Sequence, residues 1–252
     1  MSDTAEAIRA EALTKRFGSV TALAGVSIAL KRGETLGILG DNGAGKSTLI
    51  KILTGYHQPD SGQLFVDGKP VRLGSVDEAR AFGIECVYQD LALVNGLSVY
   101  HNLFLNRELL RPGLLRLLDH AAMRRRAAEA LAEIGVNVPS IEIEVGALSG
   151  GQRQAIAVAR AVCSKARILL LDEPLAAMGA REAQQIIRLI ERLKARGDIA
   201  IAMIAHNYAQ TLEICDRVIL MQHGRVTFES ATATTSAAEL LEIVRREYRQ
   251  RA

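Results

Sequence analysis

The sequence has few cysteines and no long apolar run, and each absence excludes a class of protein. Cys86, Cys163 and Cys215 are odd in number and lack metal-ligand spacing, so we expect neither a disulfide framework nor a cysteine metal site. They are typical of small buried side chains in a reducing compartment. No apolar run approaches the roughly 18 residues that a membrane-spanning helix needs, and no segment has the regions of a signal peptide. We therefore expect a soluble protein that reaches any membrane through a partner.

The charge of the chain is nearly balanced. The 252 residues carry a formal net charge of +3, a mild excess that does not require a nucleic-acid partner, and we expect none. The densest basic run, residues 124–126, lies in a stretch of helical character and is interpreted as a solvated helix face rather than a phosphate or partner site. The length suits one domain with its own core, and we predict a single domain over residues 1–252.

A glycine-rich segment follows the apolar run of residues 35–39 and fits the pattern Gly-x-x-x-x-Gly-Lys-Ser/Thr. Its residues are Gly40, Asp41, Asn42, Gly43, Ala44, Gly45, Lys46, Ser47 and Thr48. Glycines permit positive φ and a nest of N–H groups for anionic oxygens, and the following helix adds its positive end. Lys46 supplies charge for the β- and γ-phosphates of ATP, and Ser47 supplies a hydroxyl for Mg²⁺. The alternative is a glycine-rich turn that binds nothing.

Two adjacent acids end a second apolar run. Residues 168–171 are all aliphatic and lead into Asp172 and Glu173. An unbroken apolar run favours a strand buried on both faces of a parallel sheet, and such sheets bind ligands at the carboxyl ends of their strands. We therefore predict that Asp172 holds Mg²⁺ beside the phosphate loop and that Glu173 reaches the attacking water. Taken alone, the pair also fits a helix cap for the segment that starts near Ala180.

With the motifs that follow in the same order, the chain resembles the ATP-binding cassette (ABC) ATPases over roughly residues 6–230. The resemblance implies that Phe17 stacks on adenine, that Gln89 joins Mg²⁺ or water to a helical subdomain, and that His206 lies near the γ-phosphate. It also implies that a signature motif contacts the γ-phosphate held by another protomer. The signature residues are Ser149, Gly150, Gly151 and Gln152. Each motif alone has an ordinary alternative, such as a structural histidine or a helix start capped by Ser149.

The resemblance also implies the fold class, an α/β P-loop NTPase cassette with a RecA-like core, an antiparallel β-subdomain and a helical subdomain. Glycine-punctuated alternation predicts the antiparallel sheet in residues 6–35 and 60–73. Residues of about 90–160 form the predicted helical subdomain. The remaining core is predicted over residues 34–56, 84–89 and 165–230. Helices are predicted over residues 99–107, 121–134, 149–161, 180–196 and 237–249.

Within the family, the chain is most similar to ATPases of simple-sugar importers of the ribose, xylose, galactose and fructose kind. The segments that carry this likeness are residues 51–62, 77–84, 87–93 and 97–105. It implies ATP-driven sugar import at the cytoplasmic face of the inner membrane. The implied partners are membrane permease subunits, a periplasmic-type sugar-binding protein reached indirectly, and a second cassette, expected to be another copy of this chain. The alternatives are another cargo (amino acid, lipid or drug), a cytosolic ABC ATPase outside transport, or a non-hydrolytic cassette.

An apolar stretch after Gln89 is the predicted contact surface for the permease. Its residues are Leu91, Leu93, Val94, Leu97, Val99 and Tyr100. Exposed apolar grooves mark interaction sites, and a short permease helix would fit one. The alternative is that these residues are the core of the helical subdomain.

Three positions near the predicted catalytic residues depart from the family pattern. Leu175 stands where threonine is usual, Ala205 where serine is common, and Gly179 where many cassettes have an aspartate that couples the two sites. Lys46, Asp172, Glu173 and His206 are all present, and we therefore expect a competent enzyme.

Overall fold

A computed structural model describes residues 5–113, 115–176 and 178–251, with side chains as far as residue 246. Its strands are β1 (Glu6–Phe17), β2 (Val20–Lys31), β3 (Thr35–Leu39), β4 (Ser61–Val66), β5 (Lys69–Val71), β6 (Ile84–Val87), β7 (Ile168–Asp172), β8 (Ala200–Ile204), β9 (Arg217–Gln222) and β10 (Arg225–Ala231). Its α-helices are α1 (Lys46–Leu53), α2 (Val76–Ala81), α3 (Val99–Leu103), α4 (His120–Glu133), α5 (Gly150–Cys163), α6 (Ala180–Arg196), α7 (Tyr208–Ile214) and α8 (Ala237–Arg251).

The main sheet has the strand order β10-β9-β3-β8-β7-β6 and is parallel except for β10. The apolar runs of β3, β7 and β8 are buried along their whole length, as expected for strands covered on both faces. Ile204 of β8 is in register with Ile38 of β3 and with Asp172 of β7. The carboxyl ends of these strands therefore lie side by side at one edge of the sheet.

The second sheet is antiparallel, with the order β2-β1-β4-β5. Its inner face, which includes Leu13 and Leu23, belongs to the same buried cluster as Ile38 of the main sheet and Ile50 of α1. The predicted antiparallel sheet is thus observed, and it covers one face of the main sheet.

Helices cover the opposite face of the main sheet. Leu169 and Leu171 of β7 belong to a second buried cluster with side chains of α3, α4, α5 and α6. Helix α6 has the predicted bounds, and it ends at Gly197, whose φ of 72° gives the left-handed cap typical of glycine. No helix within the described ranges has both the length and the apolar composition needed to cross a bilayer.

One helix prediction needs correction, and two helices were missed. The helix predicted over residues 99–107 is shorter, because α3 ends at Leu103 and Asn106 takes a left-handed φ of 63°. Helices α2 and α7 were not predicted. Each begins at a residue whose side chain accepts a hydrogen bond from the first turn, Ser75 for α2 and Asn207 for α7.

Candidate functional site

The predicted phosphate loop and catalytic residues come together at the carboxyl edge of the main sheet. The loop follows β3, His206 follows β8, Asp172 ends β7 with Glu173 next to it, and Gln89 lies just beyond β6. Because the strand order is β3-β8-β7-β6, these groups form one row along the edge.

The phosphate loop requires glycine at two tight positions. Gly40 has φ 140° and Gly45 has φ 99°. A β-carbon at Gly40 would collide with the carbonyl oxygen of Met221, and one at Gly45 with that of Ala22. The loop is therefore wedged between the end of β9 and the start of β2, with its backbone in the positive-φ conformations that expose N–H groups to an anion.

Lys46 is buried at the start of α1 and folds back over the loop. Its Nζ donates to the carbonyl oxygens of Gly40, at 2.6 Å, and Asp41, at 2.9 Å. Burial lowers the pKa of Lys46, whereas the charges of Glu173, Asp41 and Asp172 act in the opposite direction. The ammonium group thus lies in a field of carboxylates and can exchange its carbonyl partners for phosphate oxygens.

Asp172 is buried, and Ser47 lies beside its carboxylate. Burial raises the pKa of Asp172, and the charge of Glu173 raises it further, while Ser47, Lys51 and Lys46 oppose the shift. Among the described residues no three acidic, histidine or cysteine side chains cluster as a metal site. Mg²⁺ commonly takes one or two protein oxygens together with phosphate oxygens, and the adjacent hydroxyl of Ser47 and carboxylate of Asp172 fit that requirement.

Glu173 and His206 form a direct pair. His206 Nε2 donates to Glu173 Oε1 at 2.6 Å. Glu173 has a left-handed φ of 53°, and its N–H donates to the carbonyl oxygen of Ile204. A cavity of about 410 Å³ opens beside the pair, and Leu175 and Ala205, two of the departures from the family pattern, line it.

Phe17 lies at the end of β1 with 44% of its surface exposed. Its ring meets the edge of His57 at a centroid distance of 5.2 Å, and Lys15 Nζ lies 5.6 Å from its centroid. Because β2 touches the phosphate loop at Ala22 and Gly45, the hairpin carries this exposed ring close to the loop, where it is available to stack on a base.

Among the described residues, the signature has no hydrogen bond to the row of catalytic groups. Ser149 caps α5: its Oγ accepts from Gln152 N at 3.3 Å, and Gln152 Oε1 accepts from Ser149 N at 3.0 Å. Gly151 N donates to Glu182 of α6 at 3.3 Å. In the described residues, the hydrogen bonds of this motif therefore remain within α5 and α6.

Two residues that sequence reasoning did not single out are joined to each other, one of them next to Gln89 in the chain. Tyr88 donates its hydroxyl to Thr54 Oγ1 at 2.9 Å. Burial raises the pKa of Tyr88 to about 12, with smaller contributions that include the charge of Asp172. Tyr88 directly precedes Gln89, so its position beside a predicted site residue was the available signal.

The predicted permease surface is wrong at two of its six positions. Val99 and Tyr100 are buried in the core of the helical segment. Leu91 and Leu93 pack against that core and are partly buried, whereas 44% of Val94 is exposed. The exposed part of the predicted permease surface therefore centres on Val94.

A buried amide holds the segment before α3. Asn102 is fully buried, and its Nδ2 donates to the carbonyl oxygens of Val94, Leu97 and Ser98 at 3.0–3.1 Å. Its Oδ1 accepts from Val94 N at 2.8 Å. These four bonds fix the backbone from which the Val94 side chain projects.

The chain is similar to known proteins over most of its length. Residues 23–176 match the ABC transporter family. It is 43% identical over 230 residues to the xylose/arabinose import ATP-binding protein XylG of Sulfolobus acidocaldarius, covering 91% of this chain and 90% of that protein. It is 43% identical to the fructose import ATP-binding protein FrcA of Rhizobium meliloti, covering 86% and 85%. The ribose import ATP-binding protein RbsA of Chromobacterium violaceum is 38% identical, and the chain spans 45% of its length.

Solved cassettes share the fold. A nucleotide-free ATP-binding cassette from an ABC transporter is 26% identical with a TM-score of 0.81, covering 95% of both chains. A structure of the ADP conformation of an ATP-binding cassette of an ABC transporter is 26% identical with a TM-score of 0.80, covering 94% of this chain and 93% of that one. The predicted fold class is confirmed. With the family match over more than half of its residues, the chain belongs to the ABC transporter family and is an ATP-binding, ATP-hydrolysing cassette.

Proposed function

We propose that this chain is the energy-coupling subunit of an importer for a simple sugar. The support comes from relatives that carry the names of xylose/arabinose and fructose import proteins and that match this chain over 85–90% of their own length. In this proposal the whole chain is one cassette, with residues of about 90–160 as its helical subdomain. It lies at the cytoplasmic face of the membrane against permease subunits, and a periplasmic-type sugar-binding protein delivers the cargo to them.

Binding of ATP depends on Phe17 and the phosphate loop in this proposal. The exposed ring of Phe17 stacks on adenine, while the loop N–H groups and Lys46 Nζ hold the phosphates. Ser47, Asp172 and Gln89 are the residues that would hold Mg²⁺, which when bound neutralises phosphate charge. Because Asp172 is buried and its pKa is raised, a neighbouring cation stabilises its ionised form.

Hydrolysis depends on the pair formed by Glu173 and His206. The Glu173 carboxylate orients the attacking water and accepts its proton. The hydrogen bond from His206 Nε2, at 2.6 Å, fixes the direction of that carboxylate. The observation that carries this assignment is the convergence of Lys46, Asp172, Glu173 and His206 at one edge of the sheet.

The catalytic assignment is tested by replacing the two charged groups separately. Glu173→Gln should keep ATP binding and lower kcat by roughly 10²–10⁴-fold, the usual contribution of a positioned base. Lys46→Ala should weaken ATP binding itself, measured by calorimetry, because it removes a cation from the phosphates. Glu129→Gln, on the exposed surface of α4, is the matched control. Near-normal turnover in Glu173→Gln would reject the assignment of the base.

The sugar assignment is tested by uptake of labelled xylose, ribose, galactose and fructose in cells that lack this chain. Uptake of at least one of them should be lost, and it should return with the wild-type chain but not with Glu173→Gln. Unchanged uptake of all four, with loss of amino-acid or lipid uptake, would favour the alternative cargo instead.

A further inference from the structure

A carboxylate already occupies a donor of the signature motif in the single chain. Glu182 lies in the first turn of α6, and its Oε1 accepts a hydrogen bond from Gly151 N at 3.3 Å. Gly151 lies in the first turn of α5, where N–H groups have no partner within the helix and the helix dipole attracts anions.

The close approach of Glu182 depends on the glycine at position 151. A β-carbon there would lie 3.0 Å from Glu182 Cβ and 3.2 Å from Glu182 Cγ. A β-carbon at Gly150 would lie 3.9 Å from Glu182 Oε1. The side chain of Glu182 thus lies directly across the start of α5.

The contact is more than a helix cap. Helix α5 already has a complete capping box, formed by Ser149 and Gln152. Among the described residues, Gly151 N is the only hydrogen-bond partner of the Glu182 carboxylate, and no lysine or arginine forms a salt bridge with it. The carboxylate therefore binds at the positive end of α5 as a bound anion would.

We propose that Glu182 is a built-in competitor that holds the signature N–H until the γ-phosphate of a second copy replaces it. The inference rests on the proposed function, in which the signature contacts ATP held by the other cassette. A carboxylate and a γ-phosphate are both anions, so they cannot share this N–H without repulsion. Glu182 must release Gly151 when two chains close around ATP, and this release opposes closure.

The position of Glu182 also connects the signature with the segment that follows the catalytic Glu173. Helix α6 starts at its cap residue Gly179, six residues after Glu173. A movement of this helix start therefore displaces Glu182 from the signature and shifts the segment that follows Glu173. Glu182 is a positioning residue, since it acts through Gly151 rather than on ATP.

The test measures ATP-driven dimerisation by analytical ultracentrifugation in the Glu173→Gln background, which blocks turnover. Glu182→Gln keeps the size and an acceptor oxygen but removes the negative charge. We expect it to lower the dimer Kd in Mg-ATP by roughly tenfold, with ADP binding to the monomer unchanged. Glu182→Asp keeps the charge but is one methylene shorter. Its dimer Kd should lie between that of the Glu173→Gln parent and that of Glu182→Gln.

Two controls separate the possible failures. Glu191→Gln makes the same charge change on the exposed surface of α6 and should leave dimerisation unchanged. Ser149→Asp retains a good helix cap but presents a negative charge to the γ-phosphate, and it should weaken dimerisation.

If the Glu182→Gln dimer is no tighter than the parent dimer and the Tm is unchanged, the competitor role is overturned. Glu182 would then be only a structural contact between α5 and α6. If Glu182→Gln lowers the Tm, the Glu182→Asp variant decides the outcome. A Glu182→Asp dimer that is no tighter than the dimer of the parent Glu173→Gln protein overturns the proposal. If Ser149→Asp dimerises normally, the proposed function of the signature fails. If Ser149→Asp is weakened but Glu182→Gln is not strengthened, only the competitor role fails.

Discussion

At the scale of single residues, the site combines backbone strain with buried charge. Glu173 has a φ of 53°, a left-handed conformation that costs a residue other than glycine about 1–2 kcal/mol. Hydrogen bonds from its N–H to Ile204 and from Ala176 N to its carbonyl oxygen hold the turn. The turn aims the carboxylate at His206, so the fold accepts local strain where the chemistry needs a fixed direction.

We predict that Glu173→Gly is more stable than Glu173→Ala. Glycine relieves the strain at this φ but gains more freedom in the unfolded chain, and the net advantage should be about 0.5–1 kcal/mol. Urea unfolding of the two variants, with equal m-values, measures the difference. Equal stability, or a more stable alanine variant, would contradict the presence of strain at this residue. Both variants should have lost turnover.

We predict that Asp172→Asn raises the stability of the nucleotide-free protein at neutral pH while it abolishes Mg²⁺-dependent turnover. Burial raises the pKa of Asp172 in the folded protein, so ionisation of this group opposes folding. The protonated form of Asp172 is the one that favours folding. Its contribution to stability is complete below the pKa of the unfolded chain and is lost as the pH rises through the raised pKa of the folded protein. The advantage of the asparagine variant should therefore shrink as the pH falls through the raised pKa of folded Asp172 toward about 4, the pKa of an aspartate in the unfolded chain. Thermal unfolding of both proteins across this pH range measures it, and a less stable asparagine variant at pH 7 would contradict the prediction.

At the scale of elements, the sequence predicts what is encoded locally. The aliphatic runs of β3, β7 and β8 and the amphipathic period of α6 each identify an element from a few adjacent residues. Helices α2 and α7 have six and seven residues, too few to establish a helical period, although Ser75 and Asn207 are typical N-cap residues.

Contacts within the site are harder to predict because they join distant parts of the chain. The phosphate loop and the acids at 172 and 173 are contiguous motifs, so sequence alone identified them as candidates. The Glu173–His206 and Gly151–Glu182 pairs are 33 and 31 residues apart. Only the order of the strands and the packing of α5 on α6 bring these groups together.

The segment before α3 gives a test at the element scale. Val94 is 44% exposed, whereas Val99, five residues later, is fully buried. We predict that Val94→Glu keeps the fold and basal ATPase activity but loses coupling to the permease. Val99→Glu should lower the free energy of unfolding by about 3 kcal/mol or more, because it buries a charge without a partner. Unfolding curves and sugar uptake separate the two effects, and full uptake with Val94→Glu would remove this surface from the proposed interface.

At the scale of the whole molecule, the proposed function has one chain supply two half-sites rather than one complete site. The catalytic row is built on the carboxyl edge of the main sheet, while the hydrogen bonds of the signature stay within α5 and α6. The family resemblance implies that each signature lies against the phosphate loop of the other chain, and a two-fold symmetric pair would form that contact twice. Position 179 is glycine, where many cassettes of the family have an aspartate that couples the two sites. We therefore expect the two sites of such a pair to work independently.

This arrangement predicts that two inactive variants restore activity when they are mixed. Lys46→Ala disables the phosphate loop, and Ser149→Asp disables the signature while keeping the helix cap of α5. A mixed dimer contains one site in which both halves are intact and one in which both are disabled. At protein concentrations where all chains are dimeric and pair at random, half of the dimers in an equal mixture are mixed, and the ATPase rate should reach about a quarter of the wild-type rate if the sites act independently. The control is a mixture of Lys46→Ala with Glu173→Gln, since both disable the same half-site and no intact site can form. A rate no higher than that of either variant alone would contradict a pair of identical, independent cassettes and would favour a different second cassette or strictly coupled sites.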